Sequence, residues 1–158
     1  MTTIEITVKK SQVMHEVAET TAYVGQKMPA QGENPTDYYD RIFTTDEDRQ
    51  MLERFWVEAC NATDSALSHD LIFSKPQAVH HGGDLTNDYV ATLMVAVLWN
   101  DALTGAMNRT LYSFFVNSIL GKWFIITNKE EAAAYATQAD GMLADVVRMT
   151  YQRKRPMR

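Results

Sequence analysis

Cysteine is almost missing from this chain: Cys60 is the only one in 158 residues. That excludes an intramolecular disulfide and a cysteine-based zinc site. Long apolar runs are missing too. The longest, Tyr89 to Trp99, is far shorter than the roughly 20 apolar residues a bilayer-spanning helix needs. The opening MTTIEITVKK has no basic segment followed by an apolar one. It therefore predicts no secretory signal, and points to action in the cytosol or in an assembly built there. There is no G-x-S-x-G, no phosphate-binding G-x-x-x-x-G-K and no dinucleotide fingerprint. Internal repeats and low-complexity segments are also lacking.

What is present is an ordinary globular balance, 46% apolar and 22% charged. A chain of this length buries a core without staples and predicts one domain over 1–158. Within it, helices and a hairpin occupy about 44–152, and a basic tail occupies 153–158. Net charge is −5, unevenly spread. Arg148, Arg153, Lys154, Arg155 and Arg158 fall in the last eleven residues, which hold no acid. A body this acidic repels phosphate rather than binding it, and the tail can neutralise only a few phosphates.

The fold class predicted is α+β, predominantly α, with about four helices, a β-hairpin and a short N-terminal strand. Ile4, Ile6 and Val8 alternate with polar residues as in a half-buried strand. Ser11 caps a helix to about residue 28, with Val13, Val17, Val24 and Met28 on its inner side. The stretch with Pro29, Gly32 and Pro35 reads as a loop, pinned by Tyr38, Tyr39, Ile42 and Phe43. Thr44 and Glu47 form a capping box for a helix over 46–68. Its apolar face carries Leu52, Phe55, Trp56, Ala59 and Thr63. Residues 71–80 and 89–98 read as a hairpin around a turn at 81–88, although the second run also suits a buried helix. Asn100 or Asp101 caps a third helix that Gly121 stops. Trp123 to Ile126 is then a short buried segment. Asn128 caps the last helix, which runs to about Arg153 and is ended by Pro156.

Candidate chemistry is thin. His80, His81 and Asp84, with His69, form the one arrangement resembling a metal loop. Adjacent strand histidines point to opposite faces, however, and a Gly-Gly-Asp turn explains the same residues. His15 and Glu19 lie one helical turn apart, as an exposed ion pair does. Cys60 sits beside an apolar helix face and reads as a packed thiol. The Asp46-Glu47-Asp48 run stands where a helix start favours acids. These residues predict no catalytic site, no resident metal and no cofactor. The tail is different. It reads as a solvated helix end, as a nucleic-acid or membrane contact, or as a segment in which Arg148, Tyr151, Arg153, Lys154, Arg155 and Pro156 dock on a partner, since arginine forks suit carboxylates as well as phosphates.

The order of elements carries a resemblance. A capped helix, TTDEDRQMLERFWVEACNATDSAL, precedes a hairpin and then ILGKWFIITNKEEAAAYATQADGMLADVVRMTYQRKRP. This resembles the small head–tail connector (adaptor, or neck) proteins of tailed bacteriophages, in the form found in phages of Bacteroidales bacteria. The resemblance covers about residues 44–156. It rests on the Trp123 segment, the Glu130–Tyr135–Ala139 helix and the basic-proline ending. It implies a non-enzymatic virion subunit without cofactor, assembled in the host bacterial cytoplasm. The implied assembly is a homo-oligomeric ring, typically a dodecamer, between the portal protein and a tail or neck protein. DNA would pass through its channel without sequence-specific binding, and no membrane is involved. Helices would pack side by side between subunits, and Arg153, Lys154 and Arg155 would dock on a neighbouring ring. The competing readings are a tail-completion or head-closure protein of the same virion, a small metal-binding enzyme using the His69/His80/His81 region, and a small DNA-binding regulator.

Overall fold

A computed structural model of the chain describes residues 1–27, 34–36, 44–75 and 88–156. The architecture is predominantly helical α+β, as the patterning predicts. Strand β1 (Thr2–Val8) leads into helix α1 (Lys10–Lys27). A 3-10 turn at Asp46–Asp48 opens α2 (Arg49–Ala66). Strands β2 (Leu71–Lys75) and β3 (Tyr89–Val95) follow. A second 3-10 turn, Asp101–Leu103, precedes α3 (Thr104–Thr127) and then α4 (Lys129–Met149).

The sheet is antiparallel in the order β1-β3-β2. Its centre is β3, so the apolar 89–98 run resolves as a strand, though only as far as Val95. Alternation places Tyr89, Ala91, Leu93 and Val95 in the core with Ile6 and Val8 of β1. Beyond Val95 the chain leaves the sheet through a turn, so Val97 and Leu98 are not strand residues. Strand β2 carries a bulge between Leu71 and Phe73. Its predicted continuation to residue 80, the turn at 81–88 apart from Asp88, and the aromatic pins at 38–43 lie outside the described residues.

Helix α3 is the axis of the molecule. Met107, Leu111, Phe114, Phe115, Val116, Ile119, Leu120, Trp123 and Phe124 are all buried on it. It packs against α1, α2, α4 and β1, and so is apolar nearly all round. The predicted stop at Gly121 is therefore wrong, and Trp123 to Ile126 belong to the same helix. Gly121 has a packing reason instead. A Cβ there would stand 3.3 Å from the backbone nitrogen of Ala136, where α4 folds back on α3. The helix ends at Asn128, whose amide donates to Phe124 and whose extended conformation turns the chain into α4.

Other helix ends differ from expectation by one or a few residues. Helix α1 starts at Lys10, not after Ser11, and the Asp88 carboxylate accepts the Lys10 amide at 3.0 Å. In place of the Thr44–Glu47 box, only the acid's half of such a motif stands one residue on: Asp48 accepts from the backbone amide (2.8 Å) and hydroxyl of Thr45. Thr44 is buried and joined to α1, its amide donating to the Thr21 hydroxyl at 3.2 Å. Asn100 caps the 3-10 turn through Ala102, not α3 itself, whose N-cap position is Leu103. Asn128 stands before α4 but caps it with its carbonyl, which accepts from Glu131, rather than with its side chain. Helix α4 ends at Met149, four residues before the predicted Arg153.

Candidate docking surface

The carboxyl-terminal residues are held by the connection that follows β3. Antiparallel bridging joins Arg153 to Trp99. The Asn100 amide donates to Gln152 at 3.1 Å, and the Lys154 amide donates to Leu98 at 2.8 Å. Buried Trp99 anchors this clasp, its indole N–H donating to the Met149 carbonyl at 2.8 Å. That bond also satisfies a carbonyl in the last turn of α4. Tertiary structure thus fixes the basic tail through Lys154.

Around the clasp lie the residues singled out from sequence. Arg148 pairs with Asp145 one turn earlier on α4. Lys154 reaches Asp101 at 3.1 Å. Arg153 and Arg155 meet no carboxylate among the described residues, and Arg155 and Pro156 are exposed. Tyr151 is 59% exposed, with its ring 6.4 Å from that of His69. The structure brings these positions together at one end of the α3–α4 hairpin. It adds two that sequence reasoning missed, Val97 and Leu98, 70% and 64% exposed. Their signal was hidden inside an apolar run that passed for strand. The end of the molecule is therefore a cationic surface with an apolar centre, a combination common where proteins meet.

No other cluster assembles into a site among the described residues. His69 pairs with Asp70 at 2.9 Å, and His80, His81 and Asp84 lie outside the described residues. No group of three or more metal-capable side chains occurs among those described. Asp64 joins α2 to the sheet by accepting from Tyr89 (2.7 Å) and Ser74 (2.9 Å). Burial pushes the Tyr89 hydroxyl well above its ordinary range, and its bond to Asp64 adds to this. Burial likewise raises the Cys60 thiol, helped by the Asp64 charge, so Cys60 is an inert packed thiol. An open groove between α1 and α3 is lined by Gln12, His15, Glu16, Glu19 and Tyr112. There His15 and Glu19 form the expected exposed pair at 3.0 Å. The Tyr112 hydroxyl is pushed up to about 12 by burial and by nearby Glu16 and Glu19.

No helix among the described residues is long and apolar enough to cross a membrane. Comparison with protein-family models, curated proteins and solved structures finds no match to the chain.

Proposed function

We propose that this chain is a structural subunit of a tailed-phage virion neck, part of a ring that joins the portal to the tail around the DNA channel. The observation that carries this reading is the clasped basic tail. A structured cationic end with exposed Val97, Leu98 and Tyr151 stands on an otherwise acidic body. Arginine forks of this kind fit carboxylates on a neighbouring protein. The acidic remainder suits a channel through which DNA slides without sticking. The order of helices and hairpin, and the basic-proline ending that resembles neck adaptors, support the same reading. On it Arg148, Tyr151, Arg153, Lys154, Arg155 and Pro156 meet a portal or tail protein, and no group on the chain performs chemistry.

The test is mass in solution by light scattering, for the chain alone and mixed with the portal protein of the same phage genome. A complex of defined stoichiometry is expected. A chain that stays monomeric beside portal overturns the proposal. Binding to tail tube in place of portal moves the chain to a tail-completion role.

A further inference from the structure

Strand β1 stands at an edge of the sheet. Its register with β3 is unbroken from Thr2 to Val8. Thr2, Thr3 and Glu5 are exposed, and Ile4 is half-buried. In an antiparallel ladder, successive residues turn their backbone groups to opposite sides. The Thr7 amide donates to the Asn108 side chain at 3.1 Å, so Thr3, Glu5 and Thr7 face away from β3. The Thr7 amide is thereby satisfied. The amides and carbonyls of Thr3 and Glu5 meet no partner among the described residues. Edge strands are ordinarily blunted by a bulge, a proline or a lysine. The other edge strand, β2, has a bulge and Lys75, whereas β1 has none of the three. The one charge on β1 is Glu5. Of the elements packed most closely on β1, β3 carries no charge, and α3 carries Arg109 and Lys122, the latter paired with Glu58 at 2.6 Å. Arg109 stands with Lys9 at the Thr7 end of the strand.

We infer that β1 pairs antiparallel with β1 of a second copy about a two-fold axis at Ile4, with Thr3 of each copy opposite Glu5 of the other. The free groups choose this register. Each Thr3–Glu5 pair exchanges both of its backbone hydrogen bonds, so no edge-facing amide of Thr3 or Glu5 is left over. Setting Glu5 opposite Glu5 would oppose like charges, and would need the Thr7 amide that Asn108 holds. Setting Thr3 opposite Thr3 would carry Glu5 past Thr2, where the strand of the other copy begins. The edge is thus complementary to itself, which commits it to a second copy. The axis stands perpendicular to the sheet, so the helices of both copies cover one face and Ile4 meets Ile4 on it. Lys9 and Arg109 stay outside the paired stretch, Thr2 to Ile6. The contact is isologous and closes at two copies. It describes the chain before it enters a ring, so it goes beyond the neck reading and does not rest on it.

The test is light scattering of the full-length chain over a concentration series. A species of twice the 18.0 kDa chain mass is expected. Glu5→Pro removes an edge-facing amide that the β3 ladder does not use, at a position where a strand accepts proline. It should stay folded by circular dichroism and be monomeric. Register is read from three point variants under mild oxidation, Cys60 being buried and inert. Ile4→Cys should cross-link two copies, because a non-hydrogen-bonded pair on the axis has Cα atoms about 4.5 Å apart, within disulfide reach. Thr3→Cys and Glu5→Cys should not. A chain that is monomeric at every concentration, a dimer that survives Glu5→Pro, or cross-linking through Thr3→Cys or Glu5→Cys in place of Ile4→Cys overturns the pairing. Where Glu5→Pro fails to fold, the cysteine variants decide alone. Portal takes no part in these measurements. Portal capture by a chain that does not dimerise removes this contact and leaves the neck reading, and a dimer that ignores portal does the reverse.

Discussion

Replacing Trp56 with alanine removes a side chain with no exposed surface, its ring 4.7 Å from that of Phe115. The expected cost is about 3–5 kcal/mol, from lost transfer energy and the cavity left behind. Denaturant titration measures it, and an unchanged midpoint would mean that Trp56 is not in the core. The indole N–H meets no acceptor among the described residues. Trp56→Phe should therefore cost less than half as much, since it removes a buried unsatisfied donor along with the volume. Buried proton-bearing groups make a separate prediction in pH. Cys60, Tyr89 and Tyr112 all hold their protons more tightly in the folded chain than in the unfolded one. Their folded pKa values are raised, so the stability they carry is complete below the ordinary thiol and phenol ranges and is lost as pH rises. The melting temperature should be level from pH 7 to about 9 and fall above that. The Tyr112 share should disappear between its ordinary 10.0 and about 12. A melting temperature unchanged at pH 11 would contradict this burial.

Two glycines separate packing from propensity at the scale of the element. Gly141 is exposed in the middle of α4, with nothing within 4 Å of a built Cβ. Gly141→Ala should stabilise by about 0.5–1 kcal/mol, through helix propensity and a less flexible unfolded chain. Gly121 holds the same kind of helical position but faces the α4 backbone at 3.3 Å. There the propensity gain is opposed by a contact that backbone atoms must yield to. Gly121→Leu should destabilise by about 1–3 kcal/mol through overpacking. Thermal melts of both variants decide it, and equal behaviour would mean that α3 and α4 do not approach closely at this point. The same glycine shows what was legible in the sequence. Helix α2 was readable because only one side of it is buried, so its apolar residues repeat at three and four. Helix α3 is covered on nearly every side, which erases the period, and a glycine near its end then reads as a stop. Distance in space, not in sequence, explains Gly121. The strand over 89–95 was readable as an apolar run, but its end was not, because Ala96, Val97 and Leu98 prolong the apolar character past the last ladder partner at Val95. The cationic half of the candidate docking surface was legible in composition. Its apolar half arises only once the tail crosses the post-β3 connection.

The tail serves the fold and, on the proposed reading, the assembly, and at the scale of the whole molecule two variants pull these apart. Changing Arg153, Lys154 and Arg155 together to alanine keeps the Lys154 amide and its bond to Leu98. It removes an exposed ion pair with Asp101, of a kind worth little. Stability should change by no more than about 0.5 kcal/mol. Deleting residues 153–158 also removes the Lys154 amide and the Trp99 bridge. That should cost about 0.5–1.5 kcal/mol more, the net value of a backbone hydrogen bond. Both variants lose Arg153, Lys154 and Arg155, and the deletion also loses Arg158, so both should lose portal binding. If the alanine variant binds portal normally while the deletion does not, the tail works by holding the 98–100 connection in place and its charges are a solvated helix end. If both fail equally while only the deletion melts early, the cations themselves make the contact.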